Sequence, residues 1–312
     1  MREIMKEINS KVLDIICPLY NKEKYIEDFL SSLRILPSDK VNIILIDDGS
    51  YDSTKEKIDS YVLKNKINNV YYFHKKNGGV SSARNKGIVE SVSDYIWFCD
   101  PDDLITNESL NILQKVDNLN DDIVVCGYIT AFEENQIEIT TSYKKERFTT
   151  IDFLTSHDYF TKKNAISTVW NKIYKRQFIA NIRFPEDMNH SEDRYFNLSL
   201  LKKNGTVLTC DLIIYRHKRY SANTLSTTKD SARINDIIKA DLYNLVVLSG
   251  FKNIKKEKKI HVYRISREKM HASEKRILKF YQDECKLLNI KPNFFISSKD
   301  VLLYLYLLVF GK

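Results

Sequence analysis

Four short stretches in the first third of the chain combine acids, glycines and aromatic residues in patterns suited to ligand chemistry. The most acidic is Asp100-Pro101-Asp102-Asp103, which ends the apolar run Trp97-Phe98-Cys99. Three carboxylates within four residues repel one another. A hard divalent cation such as Mg²⁺ or Mn²⁺ would relieve that repulsion, with substrate phosphates completing its shell. Asp47-Asp48-Gly49-Ser50 follows a second apolar run, and carboxylates placed there are costly unless they face a cleft. In a cleft, such a carboxylate can accept a hydrogen bond from the ring N–H of a pyrimidine base. Asp52, just beyond, reads as turn chemistry and a helix cap. In Asn77-Gly78-Gly79 and on to Gly87, paired glycines permit close backbone approach. There Arg84 can set a planar guanidinium on a ribose or a phosphate. The stretch is neither a Walker loop nor a dinucleotide fingerprint. Pro18-Leu19-Tyr20-Asn21 ends a strand and offers the flat ring of Tyr20; alone it is an ordinary strand-to-helix turn.

These stretches need elements that bring them together. Apolar runs at 12–17, 41–46, 70–73, 94–99 and 123–126 read as strands. Helical spacing at 25–36, 53–64, 81–91 and 106–116 fills the gaps. Such βαβα alternation predicts an α/β fold, Rossmann-like, with a mostly parallel sheet and helices on both faces. Ligands of such sheets bind at the carboxyl ends of the strands, so the loops after Cys17, Ile46, Phe73 and Cys99 should share one crevice. Further on, Ser191-Glu192-Asp193 opens a helical apolar pattern, where acids are favoured by the helix dipole. After about residue 230 the chain turns Lys-rich and helical. Two regions are therefore expected: 1–230, and a basic helical region over 231–312.

Composition narrows the classes. Of 312 residues, 43% are hydrophobic and 29% charged, with only 8 Gly and 5 Pro, which excludes disordered and collagen-like chains. No apolar run is long enough for a transmembrane helix. Residues 1–9 lack the apolar core of a cleaved signal, so a cytoplasmic location is expected. Five scattered cysteines read as buried reduced thiols. The net charge of +8 is matched by segment 251–280 alone, with eleven Lys or Arg against three Glu. Such a segment is a solvated helical face, a nucleic-acid contact or an anchor on anionic membrane.

Taken together, the four stretches resemble the family 2 glycosyltransferases, which use nucleotide-sugar donors on the GT-A fold. The shared motifs are Pro-x-Tyr-Asn at 18–21, Asp-Asp-Gly-Ser at 47–50, the Asn-x-Gly to Ala-Arg-Asn-x-Gly segment at 77–87 and Asp-x-Asp at 100–102. The resemblance implies that Pro18, Tyr20, Asp48, Asn77 and Arg84 line a UDP site, with Asp48 on the uracil. It places Asp100 by the ribose and Asp102 on a Mn²⁺ or Mg²⁺ ion that bridges the phosphates, with Asp103 and His217 as further candidate ligands. The stretch 169–176 resembles one that precedes the catalytic acid in bacterial members. By the same resemblance Asp193 is the general base, supported by Glu192. Residues 215–219 and 223–226 resemble a closing loop, although the second departs from the family's usual Ser-Ile-Ser.

The implied function is metal-dependent, inverting transfer of a sugar from a UDP-sugar to a hydroxyl on a growing bacterial surface glycan, lipid-linked or protein-linked. The enzyme would be peripheral on the inner face of the membrane. Region 251–312 would touch anionic lipid, and its apolar run 301–310 would lie in the membrane interface or pack as a buried helix. Two other classes are a non-catalytic nucleotide-sugar binder, which intact Asp102 and Asp193 disfavour, and a basic nucleic-acid binder. No nucleic-acid module is recognisable, so no such partner is expected.

Overall fold

A computed structural model describes residues 8–116, 120–156 and 165–220, together with 236, 239, 240 and 243. Its strands are β1 (Leu13–Leu19), β2 (Val41–Asp47), β3 (Val70–His74), β4 (Tyr95–Phe98), β5 (Leu104–Ile105), β6 (Ile123–Phe132), β7 (Ile137–Thr141), β8 (Glu146–Thr149), β9 (Lys172–Lys175) and β10 (Thr206–Arg219). The helices are α1 (Ile26–Leu33), α2 (Thr54–Lys64), α3 (Gly79–Glu90), α4 (Ser109–Val116), α5 (Thr150–Thr155), α6 (Arg176–Ile179) and α7 (Glu192–Leu201).

One sheet runs in the order β3, β2, β1, β4, β9, β6, β10, β5, with β7 on β6 and β8 on β10. β1 and β2 are buried along their whole length, as a strand covered on both faces must be. Alternate residues divide between two layers. Ile16, Ile44, Ile96 and Phe98 join Phe184 and Phe196 on one side. Leu13, Ile15, Leu45 and Trp97 meet α1 through Ile26, Phe29, Leu30 and Leu33 on the other. α3 lies so close to β1 that a Cβ at Gly87 would come within 2.3 Å of Ile16 Cγ2.

The first half follows the expected βαβ order, with β3, β2, β1 and β4 all parallel. The order reverses at β1, between β2 and β4, which is where such sheets open a ligand crevice. The second half is mixed. β9 is antiparallel to both β4 and β6, and β5, β7 and β8 are antiparallel to their neighbours. The strand expected at 123–126 continues to Phe132. The expected helix 106–116 is the shorter α4, which starts at Ser109 after β5. Helix α3 starts at Gly79, two residues earlier than its apolar pattern suggests. Asp52 caps α2 by accepting from Thr54 N at 3.0 Å, while Ser53 makes no side-chain cap bond. Residues 215–219, expected in a closing loop, form the end of β10.

Cys17, Cys99, Cys126 and Cys210 are buried, as expected, and Cys210 Sγ lies against Cys126 Sγ. Residues 223–226, segment 251–280 and the apolar run 301–310 lie outside the described residues. Among the described residues, no helix is long and apolar enough to cross a membrane. Beyond position 230, Asp236, Lys239, Ala240 and Tyr243 have the spacing of one helix face. They meet the chain just before and within α7. Asp236 accepts from the amides of Asn189 and His190 at 2.9 and 3.1 Å, Lys239 pairs with Asp187, and Tyr243 stacks on Tyr195 at 4.0 Å.

Candidate active site

The loops that follow β1, β2 and β3 are tied to one another by short-range chemistry. Asn21 sits in the left-handed region at φ +52°. Its amide donates to Ser50 Oγ at 2.9 Å, and its Oδ1 accepts from Tyr51 N at 3.0 Å. Asp47 accepts from Ser50 N at 2.9 Å and from the Tyr72 hydroxyl. Gly49 turns the chain at φ +82°, where a Cβ would also come within 3.1 Å of Asn77 N. Asp48 is buried; it accepts from Lys75 Nζ at 2.5 Å and from the amides of Gly78 and Gly79, the shortest at 2.7 Å. The carboxylate thus clamps the paired glycines. Pro18 is buried within β1, whereas Tyr20 and Asn77 are exposed at the rim. Tyr20 meets Tyr51 edge to face at 6.1 Å.

The three acids after β4 are separately neutralised. Asp100 Oδ1 accepts from Arg84 Nη2 at 3.0 Å, and its amide donates to the Tyr215 hydroxyl at 2.9 Å. Asp102 Oδ2 accepts from Lys22 Nζ at 3.0 Å. Asp103 is buried and accepts from Lys218 N at 2.7 Å, with His217 Nδ1 at 3.2 Å. Burial pushes Asp103 up to about 6, against the pull of His217. Burial disfavours a charge on His217, but Asp103 outweighs it and raises the imidazole above its ordinary value. Trp170 lies flat against both Tyr215 at 4.8 Å and His217 at 5.1 Å, and so fixes that wall. Among the described residues no three His, Cys, Asp or Glu side chains form a ready metal cage. The donor set instead fits an ion that takes one protein carboxylate and finds its other ligands on phosphates and water. Asp102, with 36% of its side chain exposed, is the open one of the three acids.

Arg84 draws distant acids into the same place. It is 3% exposed on α3. Its Nη1 donates to Asp193 Oδ1 at 2.7 Å and to Glu192 Oε1 at 3.0 Å, while Nη2 holds Asp100. Burial opposes the guanidinium charge, but Asp193, Asp100 and Glu192 together hold it more firmly than usual. Both terminal nitrogens of Arg84 are therefore engaged by carboxylates. Burial pushes Asp193 well above the ordinary carboxylate range, Arg84 opposes the rise, and Glu192 and Asp100 add to it. Glu192 and Asp193 open α7 behind Ser191, whose φ of +60° bends the chain into the helix.

The profile of Glycosyl transferase family 2 matches residues 14–183. The chain belongs to glycosyl transferase family 2. It is 32% identical over 213 residues to the glycosyltransferase EpsJ of Bacillus subtilis, an alignment spanning 66% of this chain and 61% of that relative. The chain thus covers less than two thirds of that relative's length. A glycosyltransferase of Haemophilus influenzae is 33% identical over 217 residues, or 69% of this chain and 79% of its own. The crystal structure of Staphylococcus aureus TarS 1–349 in complex with UDP-GlcNAc superposes with a TM-score of 0.69 at 18% identity, covering 95% of this chain and 87% of that one. That likeness concerns the fold, and the family 2 chain has the GT-A architecture.

Several residues of this site had no role assigned from the sequence. Lys22, directly after the Pro-x-Tyr-Asn motif, carries a charge into the crevice but no motif names it. Tyr215 was expected in a closing loop and Trp170 in the stretch before the catalytic acid, and their part in the wall depends on β9 and β10 lying where they do. Lys172, fully buried in β9, donates to Asn171 Oδ1 at 2.8 Å and to Thr168 O. Burial drives its ammonium down to about 7, partly offset by Asp193.

Proposed function

We propose that the protein is an inverting glycosyltransferase that moves a sugar from a UDP-sugar to an acceptor hydroxyl. The observation that carries this reading is Arg84, which binds Asp100 of the acidic motif and Asp193 at the head of α7 with one guanidinium. The acid expected by the ribose and the acid expected at the attacking hydroxyl are thus held by one side chain. Asp193 takes the proton from the acceptor hydroxyl, and the freed oxygen attacks the anomeric carbon on the face opposite the diphosphate. The bond from that carbon to the diphosphate oxygen breaks, and UDP leaves with the electron pair. A carboxylate raised above its usual range is a better base near neutral pH. Glu192 shares Arg84 with Asp193 and keeps its carboxylate turned toward the site. Pro18, Tyr20, Asp48 and Asn77 hold the uridine side, with Asp48 fixing the glycine loop from below. Asp102 would hold a Mn²⁺ or Mg²⁺ ion together with the donor phosphates; when bound, the ion stabilises charge on the departing UDP. The acceptor is a bacterial surface glycan, in keeping with a relative named minor teichoic acid biosynthesis protein. The enzyme works on the inner face of the membrane, with region 251–312 against anionic lipid.

A donor screen tests this. UDP-glucose, UDP-galactose and their N-acetylated and uronic-acid counterparts, incubated with Mn²⁺, should give UDP release with one sugar class. Asp193→Asn should lower transfer to that donor's acceptor by about a hundredfold or more while UDP binding stays nearly intact. Transfer by the wild type should fall as pH drops through the raised Asp193 value, because the base must be ionised. An Asp193→Asn variant with near wild-type transfer would remove the base, and a chain that binds no UDP would remove the donor.

A further inference from the structure

The acidic motif carries its own countercharges. Each of its three acids has one cationic partner: Arg84 for Asp100, Lys22 for Asp102 and His217 for Asp103. Two of these pairs have one partner buried, Arg84 at 4% and Asp103 at 3% side-chain exposure. Arg84 is shared with Glu192 and Asp193, and Asp103 is also fixed by the Lys218 amide. The Lys22–Asp102 pair differs. Its side chains remain 24% and 36% exposed, and the contact is a single bond of 3.0 Å. Open, single-contact pairs contribute little and exchange partners readily.

The lysine is nonetheless placed deliberately. Asn21 takes a left-handed turn immediately before it, and its own amide donates to Thr54 Oγ1 at 2.7 Å. The ammonium lies 5.6 Å from the centre of the Tyr25 ring, which packs on Tyr220 at 5.9 Å. A lysine ammonium thus sits on the most exposed acid of the motif.

We propose that Lys22 is a built-in cation that holds Asp102 when the donor is absent and shifts to the donor's diphosphate when the donor binds, leaving Asp102 open to a divalent ion. This rests on the donor reading above. One lysine then has two opposite effects. It competes with the ion for Asp102, and it supplies the charge that binds the diphosphate when no ion is present. A four-carbon stem with a compact, rotatable ammonium suits such an exchange better than a rigid guanidinium shared among acids.

The test measures binding to the full chain without turnover. Mn²⁺ titration of the nucleotide-free protein, followed by electron paramagnetic resonance, should give about fivefold tighter binding in Lys22→Met than in wild type. Asp102→Asn should lose that binding in either background. UDP titrated calorimetrically in EDTA should bind Lys22→Met about fivefold more weakly than wild type. Lys22→Arg, which keeps the charge, should stay close to wild type in the EDTA titration. Circular dichroism of each variant should match wild type; if Lys22→Met unfolds, Lys22→Gln replaces it with the same two expectations. Unchanged Mn²⁺ affinity, or unchanged metal-free UDP affinity, in the charge-free variant overturns the proposal. A wild type that binds no UDP with or without Mn²⁺ overturns the donor reading and this inference with it, whereas UDP binding that ignores Lys22 overturns this inference alone.

Discussion

The two halves of the crevice are built by different means. On the donor side, the carboxylates of Asp47, Asp48 and Asp52 accept backbone amides within their own turn or from an adjoining loop. Residue type and local spacing almost determine that geometry. On the acceptor side, Asp193 is placed by partners far away in sequence. Arg84 reaches it across 109 positions. Asn197, one turn further along α7, donates to the carbonyls of Ile166 and Thr168 at 2.9 Å. Thr168 O also receives Lys172, so a buried polar network with one charge sits beneath the base's helix. Turns and adjoining loops make the side of Asp47, Asp48 and Asp52; tertiary packing makes the acceptor side.

The largest effect should come from cutting the link between the halves. Arg84→Met leaves Asp100, Glu192 and Asp193 near one another without their shared cation, and removing one partner of such a cluster costs about 3 kcal/mol. Those acids keep 13–28% side-chain exposure, which holds the cost near the low end of that class. Urea unfolding should register that loss, and Arg84→Lys should recover only part of it because an ammonium lacks the fork that spans Asp100 and Asp193. If Arg84→Met melts like wild type, the halves are joined by something other than this guanidinium.

What could be read from the chain follows the same division. The parallel strands β1 to β4 and the four loops behind them were legible, because continuous apolar runs and turn chemistry are local signals. β9 was not, since its sequence is Lys-Ile-Tyr-Lys and two lysines disguise a strand whose first lysine is fully buried. The end of β10 was expected in a closing loop from family resemblance, and the run Arg216, His217, Lys218 and Arg219 carries no apolar signal of its pairing with β6. Asp193 was reachable only through family resemblance; its own surroundings mark it as nothing more than a helix-opening acid. That Arg84, Lys22 and His217 pair with the three clustered acids was not legible, because they come from α3, the loop after β1 and β10.

Lys172 provides a pH test confined to the acceptor half. Its folded value, near 7, lies below the ordinary lysine value of 10.5, so the unfolded chain binds more protons across that interval. Stability should therefore rise with pH, by about 1 kcal/mol per unit between pH 7 and 9. Lys172→Met should flatten that slope in denaturation series run at each pH. A wild-type slope of zero or opposite sign would mean that the ammonium stays charged in the core.

The smallest effect concerns the boundary placed near residue 230. Tyr243 stacks on Tyr195 at 4.0 Å and accepts from Ser199 Oγ at 3.2 Å, both on the helix that Asp193 opens. Tyr243→Ala should cost about 1 kcal/mol, the usual worth of an aromatic pair beyond its area. Because the contact lies on α7 and away from the glycine loop, UDP affinity should be unchanged while the acceptor KM rises. Thermal melts with calorimetric UDP titration separate the two effects. A loss of UDP affinity equal to the loss of acceptor affinity would show that the segment beyond residue 230 supports the whole crevice, and the contrast between a locally built donor side and a packed acceptor side would not extend to it.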